Sequence, residues 1–341
     1  MSKNSIEVCI LGGGFGGLNT ALYASSNPNL DITLVSKDKH HVYTPGLKYF
    51  FRNEDYDRYR FEIENLIAET EINYINDVVI DIDSDKKTVE LGSSEIGYDK
   101  LVLALGSDVN THGIDISDVE RFYNWNDALK LRKKAFNSSE VVLVGGGYVG
   151  VELAFELNNI GLDVTVVDSS EKPLSNLSRK AGDKAIKQFN TKGIDFIGNK
   201  KVTSIDGNTI TLDTGEKIDS QLIVWAGGIQ ASKIIQKIFN TDKKGIKVDK
   251  YLKTKYKDIY GVGDCINFSY KTGFNAFKQS KALANNLDPN NKRKKASEIK
   301  SLFVQFGKNG LMAFGETAIK NRLIGTYKKL EYQYYKTQIK K

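Results

Sequence analysis

Two glycine-rich turns, each set between an apolar run and a helix-like stretch, constrain this chain more than anything else in it. The first reads Ile10-Leu11-Gly12-Gly13-Gly14-Phe15-Gly16-Gly17, and the second Val144-Gly145-Gly146-Gly147-Tyr148-Val149-Gly150-Val151-Glu152. Both carry the G-x-G-x-x-G spacing. The apolar runs at 7–11 and 141–144 predict buried parallel strands, and the stretches 18–25 and 151–158 predict the helices that follow. A strand, a glycine turn and a helix bring backbone N–H groups at a helix N-terminus against a pyrophosphate, with no Cβ in the way. One such motif is a weak signal. Two, about 130 residues apart and each in its strand–helix context, predict two dinucleotides held by one α/β chain with two Rossmann-like domains.

The second strands of the two units differ. The run 163–167 leads into Asp168, 18 residues past Gly150, close to the spacing of a ribose-binding carboxylate. Ser169, Ser170 and Glu171 follow it with no arginine, so a 2′-phosphate would meet two carboxylates; NADH is favoured over NADPH. In the first unit the run 31–35 ends at Ser36, then Lys37 and Asp38, which leaves the acid role there unassigned. Tyr43-Thr44-Pro45-Gly46 predicts a turn. Short strands are expected at 72–79, 80–82 and 87–91, and helices at 62–68, 125–136 and 180–192. Two later strands end in small residues, Leu103-Ala104-Leu105-Gly106-Ser107 and Trp225-Ala226-Gly227-Gly228, where backbone can approach a ligand. The segment Tyr260-Gly261-Val262-Gly263-Asp264-Cys265 precedes a helix-like stretch at 275–287. An aspartate at such a junction can accept a bond from a flavin ribityl hydroxyl while helix N–H groups hold phosphate. A flavin domain discontinuous in sequence follows: 1–112 and 245–290, with a nicotinamide nucleotide domain at 113–244 and a C-terminal region at 291–341.

A net charge of +7 would suit a nucleic-acid partner, but no nucleic-acid motif accompanies it. Basic clusters stand instead at Lys292-Arg293-Lys294-Lys295, Lys328-Lys329 and Lys340-Lys341, either a solvated face or a site for an anionic surface. No run reaches the ~18–20 apolar residues of a membrane-spanning helix, and no signal-peptide pattern opens the chain, so a cytoplasmic placement is expected. There are two cysteines, Cys9 and Cys265, and three histidines, His40, His41 and His112; neither set has metal-ligand spacing, and no metal is expected.

Four blocks in order, at 12–17, 98–107, 145–152 and 260–265, resemble the two-dinucleotide flavoproteins of the pyridine nucleotide–disulfide reductase class. Gly12 to Leu18, His41-Val42-Tyr43-Thr44-Pro45, Val224 to Gly228 and Ala284-Asn285-Asn286-Leu287 resemble type II NADH:quinone oxidoreductases and the related sulfide:quinone oxidoreductases. The resemblance implies FAD against Gly12, Gly14, Phe15, Gly16, Gly17, Ser36, Lys37, Thr44, Pro45, Val79, Ala104, Gly106, Gly263 and Asp264. It implies NADH against Gly145, Gly147, Tyr148, Val149, Gly150, Asp168, Gly227 and Gly228. Glu152 matches a glutamate near nicotinamide and flavin, with positioning or proton-handling work. Type II enzymes place paired glutamines in the helix after the Gly-Asp block; the alignment puts Phe274 and Lys278 there, with Gln279 one residue beyond, and Lys278 is the candidate to polarise an acceptor carbonyl.

Disulfide and sulfide chemistry need thiols beside the flavin, where this chain has Pro45-Gly46-Leu47-Lys48-Tyr49. The implied activity is therefore hydride transfer from NADH to FAD and on to a quinone, without proton pumping. A soluble reductase of a rubredoxin- or ferredoxin-type protein, and an NADH-binding redox sensor, are the alternatives. Leu323, Tyr327, Leu330 and Tyr334 recur at helical spacing among lysines. That pattern suits a peripheral helix on the inner face of the cell membrane, through 292–341, or else a cap or homodimer contact.

Overall fold

The computed structural model describes residues 5–52, 55–268, 270–297, 301–306, 309–314 and 317–340. Its frame is one unit built twice. In the first, the strand Ile6–Leu11 lies at the centre of a five-stranded parallel sheet of order Ile259–Gly261, Lys100–Leu103, Ile6–Leu11, Leu30–Val35, Asn73–Ile75. In the second, Glu140–Val144 is central to Glu120–Arg121, Ile223–Trp225, Glu140–Val144, Asp163–Val167, Asp195–Ile197, again all parallel. These runs are apolar on both faces because helices cover both faces, as parallel sheets require. Ile10, Leu11, Leu34, Leu101 and Leu103 are wholly buried in one core, and Leu143, Val166 and Val224 in the other.

Each unit also carries a three-stranded antiparallel meander, Val79–Asp83/Thr88–Leu91/Glu95–Gly97 and Val202–Asp206/Thr209–Leu212/Lys217–Asp219. Matching segments beyond the two return strands, Ser107–Val109 and Ile229–Ala231, pair antiparallel and stitch the units together. The C-terminal part of the chain crosses back: Ile259–Gly261 completes the edge of the first sheet.

The helices are α1 (Phe15–Ala24), α2 (Ile63–Ile67), α3 (Trp125–Ala135), α4 (Tyr148–Asn159), α5 (Arg179–Lys192), α6 (Lys233–Ile238), α7 (Gly273–Leu287) and α8 (Arg322–Gln338). α1 and α4 begin inside the glycine turns, three residues earlier than periodicity alone predicts. Glycine is a poor helix former, but here packing against the strand ends decides. Thr44–Phe51 is a 3-10 helix with Pro45 in its first turn rather than a simple turn. Ser301–Phe306, Asn309–Phe314 and Thr317–Asn321 form a further three-stranded antiparallel sheet.

The two units are also joined by charge. Lys48 and Arg52, four residues apart on and just after the 3-10 helix, meet Glu152 and Glu156, four apart on α4: Lys48 Nζ lies 2.9 Å from Glu152 Oε1, and Arg52 Nε 2.8 Å from Glu156 Oε2. Both carboxylates and Lys48 are buried. Breaking one buried pair leaves a charge in a low dielectric, whereas replacing both partners by apolar groups removes the problem. Arg52→Met should lower unfolding free energy by about 3 kcal/mol, and Arg52→Met with Glu156→Leu should recover most of it in urea denaturation. Equal losses in single and double variants would show that Glu156 does not depend on Arg52.

Candidate functional site

The two glycine turns have the same internal logic. A Cβ on Gly12 would stand 2.2 Å from the Ala104 carbonyl oxygen and one on Gly145 2.4 Å from that of Ala226. On Gly17 it would stand 1.8 Å from Gly12 O, and on Gly150 2.0 Å from Gly145 O. These glycines let strand, return strand and helix touch through backbone. Gly14 and Gly147 are different: a Cβ on either meets nothing within 4 Å. Each is the N-cap of its helix and carries no side chain that could bond the first-turn N–H groups. Those N–H groups have no partner inside a helix, and with the positive end of the dipole they favour an anion. Open space beside them fits a pyrophosphate at both places.

At the end of its strand, Asp168 accepts the Gly146 N–H at 2.5 Å on one carboxylate oxygen and the Ser170 N–H at 2.7 Å on the other. It is half-buried beside the second turn, where a ribose would lie. Glu171 is exposed. Ser36 holds the equivalent place in the first unit, but its hydroxyl is engaged with Asp38 O at 2.9 Å and Lys37 points into solvent.

Asp264, in the turn after the first sheet's edge strand, accepts from Ser107 Oγ at 3.3 Å, and Lys271 Nζ donates to its backbone oxygen at 2.5 Å. Burial raises the Asp264 carboxyl, opposed by Lys271 and by the Ser107 bond. Burial raises Tyr148 as well, with Asp264 and then Glu152 adding to it. Gly106, Gly228 and Gly263 adopt φ of +67°, +93° and +77°, conformations that favour glycine. Gly227 packs against Trp225, and Ala104 and Val79 are buried in the first core. Phe15 and Pro45, with Phe274 and Tyr335, line an aromatic pocket with room for scarcely one water, about 10 Å³, and Thr44 is exposed beside it. Val149 lies in the first turn of α4, half-buried; Gly16 backs onto Val262.

Glu152 is a buried residue of the second turn of α4, bonded to Lys48 and accepting the Gln305 N–H at 2.8 Å. Gln305 Oε1 in turn accepts from Tyr49 OH at 2.9 Å. Lys278 is exposed, its ammonium 5.3 Å from the Phe274 ring centre. α7 starts at Gly273 with Thr272 as its cap, and this phase turns Asn275 and Gln279 inward, each 2% exposed. Gln279 Oε1 accepts the Gly263 N–H at 3.0 Å. A shift of one residue rotates a helical position by about 100°, so Lys278 and Gln279 meet different surroundings.

Lys48, His41, Gln279 and Tyr335 were not singled out as site residues in the sequence. The i, i+4 spacing of Lys48/Arg52 and Glu152/Glu156 is visible there, but nothing local says that they meet. His41, 1% exposed, places Nδ1 3.0 Å from Gly13 O and Nε2 2.8 Å from the Tyr335 hydroxyl. Cys9 and Cys265 are both buried, and burial pushes their thiols up to about 12 and about 11. Cys265 Sγ donates to Leu103 O at 3.1 Å. Neither is a reactive thiolate.

The family model described as pyridine nucleotide-disulphide oxidoreductase matches residues 6–280. Rubredoxin-NAD(+) reductase of Pseudomonas putida is 29% identical over 276 residues, 76% of this chain and 72% of that protein. A type II NADH:quinone oxidoreductase of Staphylococcus saprophyticus is 25% identical over 309 residues, 79% and 76% of the two chains. Among solved structures, NDH2 of Plasmodium falciparum in complex with NADH superposes at a TM-score of 0.85, with 18% identity, covering 98% of this chain and 96% of that one.

Two outcomes follow from this geometry. Gly14→Val should leave the fold intact, since its side chain enters open space, but abolish nucleotide retention in the first unit. Gly17→Val should instead fail to fold, because its Cβ meets backbone; circular dichroism with visible absorbance separates the two. His41 has an ordinary value of 6.5, and burial pushes it down to about 4. The unfolded chain therefore takes up a proton first as pH falls. Stability is full above about pH 6.5, drops by on the order of 3 kcal/mol toward pH 4, and levels below. The wild-type urea midpoint should fall as pH is lowered across that window, and His41→Leu should lose that fall; an unchanged slope in the variant would show that His41 is not its source.

Proposed function

Because the chain belongs to the pyridine nucleotide-disulphide oxidoreductases, we propose that it is an FAD-dependent NADH dehydrogenase that passes two electrons to a quinone. One observation carries the reading. Two open anion cradles, at Gly14 and Gly147, stand in two units stitched edge to edge, in a chain whose two cysteines are buried and inert. The first cradle takes FAD, with Asp264 receiving a ribityl hydroxyl; the second takes NADH, with Asp168 receiving the ribose hydroxyls. Bound there, FAD supplies hydride acceptance from the reduced nicotinamide and onward electron transfer.

The chain's own work is alignment and charge. Lys48 lies in the stretch where thiol-dependent relatives would carry sulfur. Its buried ammonium favours negative charge nearby, and Glu152 holds that ammonium in place and balances it. Asp168 and Glu171 exclude a 2′-phosphate, which sets NADH over NADPH.

The acceptor is read from the relatives and the surface together. Staphylococcal relatives are named for quinone reduction. Among the described residues no helix is long and apolar enough to cross a membrane. α8 nevertheless turns Leu323, Leu330 and Tyr334 outward, 74%, 61% and 52% exposed, as one apolar stripe. With the lysines that stand among these residues in the sequence, this stripe suits the headgroup layer on the inner face of a cell membrane, where a quinone is drawn from the bilayer. The rubredoxin reductase relative supports a second reading, a small acidic redox protein as acceptor, for which the net charge of +7 is suited.

An anaerobic titration tests the proposal. NADH should bleach the flavin spectrum and a short-chain quinone should restore it rapidly; bleaching without recovery by any quinone would sink the quinone assignment and favour a protein acceptor. Asp168→Ala should raise the NADH concentration needed for half-bleaching about tenfold, the loss of one or two bonds to the ribose, with flavin content unchanged.

A further inference from the structure

The carbonyl of the middle residue of each glycine turn is pinned, but by different means. In the second unit Gly146 O accepts the backbone N–H of Leu174 at 2.8 Å, a local bond made by the chain just past its own second strand. In the first unit the equivalent carbonyl, Gly13 O, is met by a side chain, His41 Nδ1, at 3.0 Å. A carbonyl can only accept, so Nδ1 carries the proton. Burial keeps the ring neutral, so Nε2 is then an acceptor, and the Tyr335 hydroxyl, 2.8 Å away, donates to it. The Tyr335 oxygen in turn accepts from Asn19 Nδ2 at 3.0 Å. Every donor and acceptor in this chain of bonds has a fixed direction: Asn19 to Tyr335, Tyr335 to His41, His41 to Gly13. Tyr335 and His41 are both buried, and the Phe15 ring packs against them at 4.9 Å and 5.1 Å between centres.

We propose that His41 and Tyr335 are positioning residues for the first nucleotide cradle: α8 reaches across the molecule and, through this directed bond chain, holds the Gly13–Gly14 peptide in the orientation that receives the pyrophosphate of FAD. The inference rests on FAD occupying the first cradle. A trans peptide is planar, with C=O and N–H pointing opposite ways. Holding Gly13 O toward His41 turns the Gly14 N–H away from it. Without a donor at Nε2, the ring loses the bond that fixes its position, and its hold on Gly13 O rests on packing alone. The second cradle has no such dependence, because Leu174 belongs to its own unit. The C-terminal helix thus governs one nucleotide site and not the other.

The test uses the FAD-loaded full chain labelled with 15N-histidine. Wild type should show His41 as the Nδ1–H tautomer with a hydrogen-bonded Nε2. Tyr335→Phe keeps the ring and its packing but removes the donor. The Nε2 resonance should move to that of an unbonded nitrogen, and FAD release on dilution, followed by flavin fluorescence, should accelerate about tenfold, as expected for one lost buried bond. His41→Leu should accelerate release by at least as much, and it serves if Tyr335→Phe does not fold. Release within twofold of wild type in both variants overturns the proposal, as does an Nε2–H tautomer in the wild type. A wild-type protein purified with no flavin at all overturns the assignment of FAD to this cradle instead, which the absorbance spectrum shows before any variant is made.

Discussion

The structure depends on two places where backbone must touch backbone. Gly17 and Gly150 bring the start of a helix onto the carbonyl of the first glycine of its own turn, leaving 1.8 Å and 2.0 Å for a Cβ that is not there. Any side chain would push helix and strand apart. With them in contact, the helix N-terminus is aimed at the carboxyl end of a parallel sheet, the edge at which such folds bind ligands. The open positions at Gly14 and Gly147 are a consequence of that contact. The strand order, the return strands and the meanders repeat in both units, so the same packing solution is used twice.

The two units are joined by apolar contacts, Phe50 on Trp125 and Phe51 on Phe122 among them, and by polar ones that fix their register. The short pairing of Ser107–Val109 with Ile229–Ala231 supplies a backbone link. The buried pairs of Lys48 with Glu152 and of Arg52 with Glu156 supply a specific register. Buried ion pairs are weak sources of stability, since desolvation offsets most of the attraction. Their effect here is selective: only one arrangement of the 3-10 helix against α4 pairs all four charges. Gln305, from the C-terminal sheet, adds its backbone N–H to Glu152 and its side chain to Tyr49, so three separate parts of the chain meet at one carboxylate.

The C-terminal helix has two apolar faces with different fates. Tyr332, Tyr335 and Ile339 enter the aromatic cluster of Tyr43, Tyr49, Tyr59 and Phe277, while Leu323, Leu330 and Tyr334 face outward. The inward face closes the small pocket beside Phe15 and Pro45 and anchors the directed bonds to His41. The helix is thus committed on one side to the first unit and exposed on the other.

Much of this fold was legible in the residues. Fingerprint spacing, apolar runs and strand-ending small residues are local, and local packing rules made the strand Asp163–Val167 and the positions of Asp168, Gly263 and Asp264 readable without coordinates. Helix phase was not: that Asn275 and Gln279 turn inward while Lys278 is exposed depends on the cap at Thr272 and the packing of α7 on α1. Nor was the pairing of Lys48 with Glu152, about 100 residues apart, or of His41 with Tyr335, nearly 300 apart. By itself the sequence determined that backbone would approach backbone at two glycine turns, since only glycine permits it. Tertiary structure alone decided which charges and hydroxyls face those turns, because a side chain's partner depends on where distant elements pack, and no local periodicity encodes that.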